Sequence, residues 1–260
     1  MKKNILFITI ILFLSNTGIA QEKIPDYSKA GFYEIPGSGR KVYNFNVGWR
    51  FFKGVVKGAE QNNFNDSDWN IVNTPHGLEL LSTQASGSSN YQGEAWYRKH
   101  FIIPESVENK RLIIYFEAVM GKSKVWLNGE LLASHYGGYL PFSIDISKKI
   151  IKGKENVLVV WADNSNDTSY PPGKSQQRLD FCYFGGIYRD VWLIATNKIY
   201  ITDPNQEDKI SGGGTFVHYE DLSEEKVNVV VQTDIASKLS SKQQISIKYI
   251  LKDTDGKIVL

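Results

Sequence analysis

Cysteine occurs once in the 260 residues, at position 182. One thiol excludes an internal disulfide and a thiolate zinc site. Histidine is nearly as scarce: His76, His100, His135 and His218 are scattered without ligand spacing, which gives no support to a zinc centre. Charge of one sign is not in excess, with 30 Lys and Arg against 28 Asp and Glu. That balance provides no electrostatic case for nucleic acid or for an anionic membrane. No Gly-x-Ser-x-Gly elbow and no dinucleotide fingerprint occur. Gly37-Ser38-Gly39-Arg40-Lys41 lacks the spacing and the following helix of a phosphate loop and reads as a turn. Long apolar runs are absent too, apart from Ile5 to Leu14, which is shorter than the roughly 20 residues of a membrane span.

That apolar run has Lys2 and Lys3 before it and Gly18-Ile19-Ala20 after it, the layout of a signal peptide over residues 1–20. No cysteine follows to accept a lipid. The expectation is a mature chain starting near Gln21 in the periplasm or outside the cell, with no membrane attachment after cleavage. Removing the leader with its two lysines leaves the charges in balance.

What the sequence has is aromatic residues and short alternating segments. Pro25, Pro36 and the Gly-Ser-Gly run make residues 21–40 an extended lead-in. Val42 to Phe51 alternates as a strand, as do Gly93 to Phe101, Arg111 to Val119, Ser123 to Leu127 and Asn156 to Asn164. Asn128-Gly129 between two apolar runs marks a tight hairpin, because both turn positions need positive φ. Residues 82–94 form a polar surface loop, and 165–179, with Pro171-Pro172, form another. Many short strands with almost no helical periodicity describe an all-β antiparallel sandwich of the jelly-roll kind over residues 41–198. A linker is expected at 199–214. Strands at 215–219, 226–233, 244–251 and 257–260 then fit a partial immunoglobulin-like sandwich over 215–260, whose complete form needs about seven strands. With only those strands present, the expectation is that this chain is the front part of a longer polypeptide, since open sheet edges are avoided.

The stretch Asp180-Phe181-Cys182-Tyr183-Phe184-Gly185-Gly186-Ile187-Tyr188-Arg189-Asp190-Val191-Trp192-Leu193 combines aromatics and a carboxylate before a Gly-Gly corner, then an alternating strand. Aromatic faces with an acid among them suit a sugar, which offers apolar C–H faces and hydroxyl donors. The same residues equally describe a buried strand with a bulge.

Gly186-Ile187-Tyr188-Arg189-Asp190-Val191 resembles the signature that closes the N-terminal sugar-binding domain of family 2 glycoside hydrolases, the β-galactosidase and β-glucuronidase group. Gly48-Trp49-Arg50-Phe51, Asp68-Trp69, Pro75-His76, Trp96-Tyr97-Arg98-Lys99, Val125-Trp126-Leu127-Asn128-Gly129 and Gly137-Gly138-Tyr139-Leu140-Pro141-Phe142 match family positions in order, so the resemblance covers roughly residues 40–196. It implies retaining hydrolysis of terminal β-glycosides in the parent enzyme. Two glutamates about 5–5.5 Å apart would carry it, on a (β/α)8 barrel of about 250 residues that follows the immunoglobulin-like domain and lies outside this chain. No catalytic residue is therefore assigned here, and Glu94, Glu117 and Glu130 read as surface or paired acids. Arg98 reads as the partner of a structural acid. The resemblance assigns Asp180 to the terminal sugar's outer hydroxyl and, in some members, to a sodium ion. Asp163, Asn164, Tyr183 and Asn90 are further candidates for sugar contacts. Cys182 departs from the pattern, which more often has another aromatic beside it. The alternative function is a stand-alone carbohydrate-binding module without catalysis; a third is a structural sandwich whose sugar site has decayed.

Overall fold

A computed structural model describes residues 39–79, 90–181, 184–207 and 209–259. The expected leader, most of the lead-in, and Tyr183 with its neighbour Cys182 lie outside the described residues. Ten strands build the first region. They are β1 Lys41–Asn44, β2 Trp49–Lys53, β3 Asn70–Val72, β4 Glu94–Phe101 and β5 Arg111–Phe116. β6 Lys122–Leu127, β7 Glu130–Tyr136, β8 Phe142–Asp145, β9 Asn156–Asp163 and β10 Val191–Thr196 complete them. One sheet has four strands in the order β1-β10-β5-β8, and the other has six, β3-β2-β4-β9-β6-β7. All ladders are antiparallel.

Period-2 alternation sorts β4 cleanly. Ala95, Tyr97 and Phe101 face the main core between the sheets, while Trp96 packs in a second cluster on the outer face with Ala59, Trp69 and Val159. Arg98, also pointing outward, is fully buried beneath the segment between β2 and β3. Its guanidinium donates to Asp66 at 2.7 Å and to the carbonyls of Ala59 and Gln61. This is the structural ion pair expected for Arg98. Burial alone would raise the Asp66 carboxyl, but hydrogen bonds from His100 and Arg98 outweigh it and hold it below its usual range. Asn128 (φ 53°) and Gly129 (φ 84°) form the expected hairpin turn between β6 and β7.

The single strand expected over 42–51 is two strands in different sheets. Asn46 is why. It is buried, donates to Asp190 at 2.6 Å, and accepts from Thr74 and from the Val191 amide, each at 2.8 Å. These bonds fix the chain as it crosses from one sheet to the other. The strand expected from Ile187 likewise begins only at Val191, because the carbonyls of Ile187 and Asp190 serve His76 and Glu117 instead. Arg189 consequently points to solvent.

After β10 come β11 Ile199–Ile201, the short helix α1 Pro204–Glu207, β12 Thr215–Glu220, β13 Asn228–Thr233 and β14 Ile235–Ser237. The expected linker at 199–214 thus carries structure of its own, since β11 pairs with β14. Arg111 fastens it to the sandwich: the guanidinium lies 3.9 Å from the Tyr200 ring centre and bonds both Asp145 and Gln206. β12 and β13 form a separate hairpin. Among the described residues the strand expected over 244–251 does not form a ladder; an isolated bridge, Lys252 to Ile258, and a backbone bond from Val259 to Leu251 lie at its end. Alternation without a neighbouring strand does not make a sheet. No helix among the described residues is long and apolar enough to cross a membrane.

Candidate functional site

The candidate residues gather at the end of the sandwich where β4 begins and β9 ends, with Glu94 opposite Asp163. The chain leaves β9 there, makes a long loop, and returns to β10. Asn164 is the hub of that end. It is buried, its side-chain oxygen accepts from the Gly93 amide at 2.9 Å, and its nitrogen donates to the Tyr91 carbonyl at 2.8 Å. With both ends of the amide bonded to the backbone, Asn164 holds the 90–93 segment. Asp163 accepts from Ser165 through the backbone at 2.9 Å and through the hydroxyl at 2.6 Å, so it shapes the start of the loop.

Gly185 and Gly186 dock on this hub. A Cβ at Gly185 would run into the Asn164 amide and Leu78, and one at Gly186 into the Tyr97 hydroxyl and the His76 carbonyl. Gly186 also has φ +94°, a conformation that favours glycine. The corner is pinned by His76 donating to Ile187 (2.8 Å), Leu78 to Gly185 (3.2 Å) and Met120 to Gly186 (3.0 Å). Beneath it His76 and Tyr97 sit 3.0 Å apart. Burial pushes the Tyr97 phenol up and the His76 imidazole down, so both are neutral at neutral pH.

Asn90 joins an amide network. The buried Gln176 donates to the Asn90 side chain at 2.7 Å and accepts from the Asn90 backbone at 3.2 Å and from Gln92 at 2.9 Å. Asn166 accepts from the Gln176 backbone at 2.9 Å and from Gln92 at 3.2 Å. Glu79 takes the Tyr91 amide at 2.8 Å and pairs with Lys53 at 3.2 Å. That amide first, and Lys53 after it, hold the Glu79 carboxyl below its usual range.

Asp180 lies on the same loop, past the turn at Gln176–Arg178, and is exposed. Phe181 and Phe184 beside it keep 43% and 41% of their surface in solvent. An exposed carboxylate and two exposed aromatic rings on one loop are suited to a sugar's hydroxyls and C–H faces. The carboxylate is also a hard oxygen ligand of the sort sodium takes. Among the described residues no three His, Cys, Asp or Glu side chains cluster to hold a metal ion, so other ligands for such an ion would be carbonyls, water or the sugar itself.

The structure therefore brings Asn90, Asp163 and Asn164 together and sets Asp180 on the loop they anchor. Gln92, Asn166, Gln176, Tyr91 and Glu79 are participants that sequence reading missed. Their only signal was polarity within, or in the case of Glu79 just before, two long loops. Glu94, Glu117 and Glu130 are engaged by Trp161, Trp192 and Lys149 respectively.

The family described as "Glycosyl hydrolases family 2, sugar binding domain" matches residues 64–197. The chain belongs to this family. A β-glucuronidase of Formosa agariphila is 31% identical over 237 residues, covering 86% of this chain and 24% of the relative. A β-galactosidase of Thermoanaerobacter pseudethanolicus is 32% identical over 216 residues, covering 83% and 27%. Among solved structures, a β-glucuronidase from glycoside hydrolase family 2 superposes with a TM-score of 0.69 at 28% identity, covering 87% of this chain and 25% of its own. The chain spans about a quarter of the length of these relatives.

Proposed function

We propose that this chain is the non-catalytic, sugar-binding front of an exported retaining β-glycosidase of the β-galactosidase kind, acting on terminal β-glycosides. In this reading the loop carrying Asp180, Phe181 and Phe184 contributes the recognition of the terminal sugar, with sodium as an additional ligand of Asp180. The two catalytic carboxylates belong to a barrel outside these 260 residues. The observation that carries the proposal is an exposed carboxylate and two exposed rings on the loop that runs into a corner clamped by Asn164, His76 and Leu78, in a family 2 sugar binding domain.

Asp180→Ala tests the site. Loss of a hydrogen bond to a charged group is worth about 1.5–3 kcal/mol, so affinity for a β-galactoside should fall at least tenfold with an unchanged melting temperature. Equal binding by the variant would remove Asp180 from the site. A second reading, a free-standing carbohydrate-binding module, is favoured by the site's being assembled within this chain. An immunoblot of the source cells against the sandwich separates the two. A band more than twice the chain's mass supports the enzyme, and a band near 29.4 kDa supports the module.

A further inference from the structure

The sandwich has a second concave surface, at the end opposite Asp180. The turn following β4 and the turn leading into β9 meet there, joined by β7, β8, the β10–β11 connection and the residue after β14. Together they line a cleft of about 680 Å³, within the size range of small-molecule sites. Its charge is one-sided in a chain whose overall charge is only +2. Lys110, Lys148, Lys149, Lys152, Lys198 and Lys238 line it together with Arg111, against two carboxylates, Glu108 and Asp145.

The local partners leave most of that charge uncompensated. Asp145 is taken by Arg111 and Lys149 pairs with Glu130 outside the cleft. Among the described residues Lys110 and Lys152 bond neutral oxygens, those of Gly39 and Asn197 and that of Asn109. Lys148, Lys198 and Lys238 are exposed and make no ion pair among the described residues. Ammonium groups brought together from distant parts of the chain repel one another unless an anion lies between them. The cleft is not purely polar either. Half-buried Leu132 and Ala133, with Ile144, add apolar surface.

We propose that this cleft is a second saccharide site, selective for an acidic oligosaccharide whose carboxylates meet the lysines while its ring faces rest on Leu132 and Ala133. The sugar, as against any other polyanion, is argued from the apolar patch between the cations and from membership of a sugar binding family. The site is independent of the proposed Asp180 site and does not rest on it.

The test is calorimetric titration of the whole chain with tetragalacturonate, with cellotetraose, inorganic sulfate and a tetraglutamate peptide as comparison ligands. Tetragalacturonate should bind at least tenfold more tightly than the other three and weaken as salt is raised. The triple variant Lys148→Glu, Lys198→Glu, Lys238→Glu should lose at least tenfold in affinity, and Lys→Gln at the same positions should fall between. All three side chains are exposed, so melting temperatures should be preserved, and Asp180→Ala should leave this binding untouched. Equal affinity in wild type and the charge-reversed variant would overturn the site. Sulfate binding as tightly as the tetrasaccharide would reduce it to an anion hole, and tighter binding of the acidic peptide would make it a protein-docking surface; either result overturns the saccharide assignment.

Discussion

β9 and β13 are written in nearly the same letters and end in different physical states. Asn-Val-Leu-Val-Val-Trp-Ala-Asp in β9 is buried over its first five residues, and Asn-Val-Val-Val-Gln-Thr in β13 has no buried residue. The difference is neighbours. β9 lies between β4 and β6 and has the four-stranded sheet across the core, whereas β13 pairs with β12 alone. Downstream of β11, Val217, Tyr219, Val229, Ile245, Ile247 and Tyr249 are all exposed. A β-rich sequence sets the potential of a strand, and the number of surfaces it meets sets how much apolar area leaves water.

The sharpest contrast comes from one aromatic in each region. Trp49, fully buried with its indole nitrogen donating to Phe45, should cost about 3–5 kcal/mol as Trp49→Ala. Phe216, 36% exposed on β12, should cost less than about 1 kcal/mol as Phe216→Ala. Urea unfolding of both variants would erase the comparison if the two losses were equal. Ion pairs divide in the same way. Arg98→Ala empties a fully buried guanidinium site and leaves Asp66 with His100 alone, and should destabilise by about 3–5 kcal/mol. Lys209→Ala removes an exposed, solvent-screened pair with Asp234 and should leave the unfolding midpoint unchanged.

These contrasts also explain what could be read in advance. The all-β class, the Asn128-Gly129 turn and the pairing of Arg98 are local or family-patterned and were legible. The break at Asn46 was not, since its partners Asp190 and Thr74 are distant in sequence and its own neighbours alternate as a strand would. The expected strand at 244–251 failed for the opposite reason: its alternation is real and no partner strand lies beside it among the described residues. At the site, Asp180 was reached through a motif. Gln176, which holds Asn90 from 86 residues away, had no pattern to reveal it. The backbone partners of Asn164 were not legible either, because an amide's polarity signals hydrogen bonding without saying whether the partner is a ligand or the backbone.

Glycines give a third, smaller contrast. Gly186 and Gly256 both have positive φ, at 94° and 81°. A methyl group at Gly256 meets nothing within 4 Å, so Gly256→Ala should cost about 1 kcal/mol, the left-handed penalty alone. At Gly186 the added Cβ also meets the Tyr97 hydroxyl and the His76 carbonyl. Gly186→Ala should therefore cost about 1–3 kcal/mol and, by displacing the loop, weaken sugar binding as well. Preserved sugar affinity in a destabilised Gly186→Ala would separate the corner from the site.

Within the sandwich, the smallest effect should come from Glu79. Its partner Lys53 is partly exposed, so the ion pair is worth about 0–1 kcal/mol, but the carboxylate also takes the Tyr91 amide that leads into the Gln92 network. Because its folded carboxyl titrates lower than in the unfolded chain, its contribution is complete above the ordinary glutamate value of about 4.3. It fades as pH falls through the lower folded value. Glu79→Gln keeps an acceptor for Tyr91 and loses the charge. Sugar affinity should match wild type within about threefold at pH 7, and as pH falls below about 4 wild type should weaken toward the variant. Curves that stay parallel to low pH would show that the charge has no part in holding the 90–93 segment and that the neutral hydrogen bond suffices.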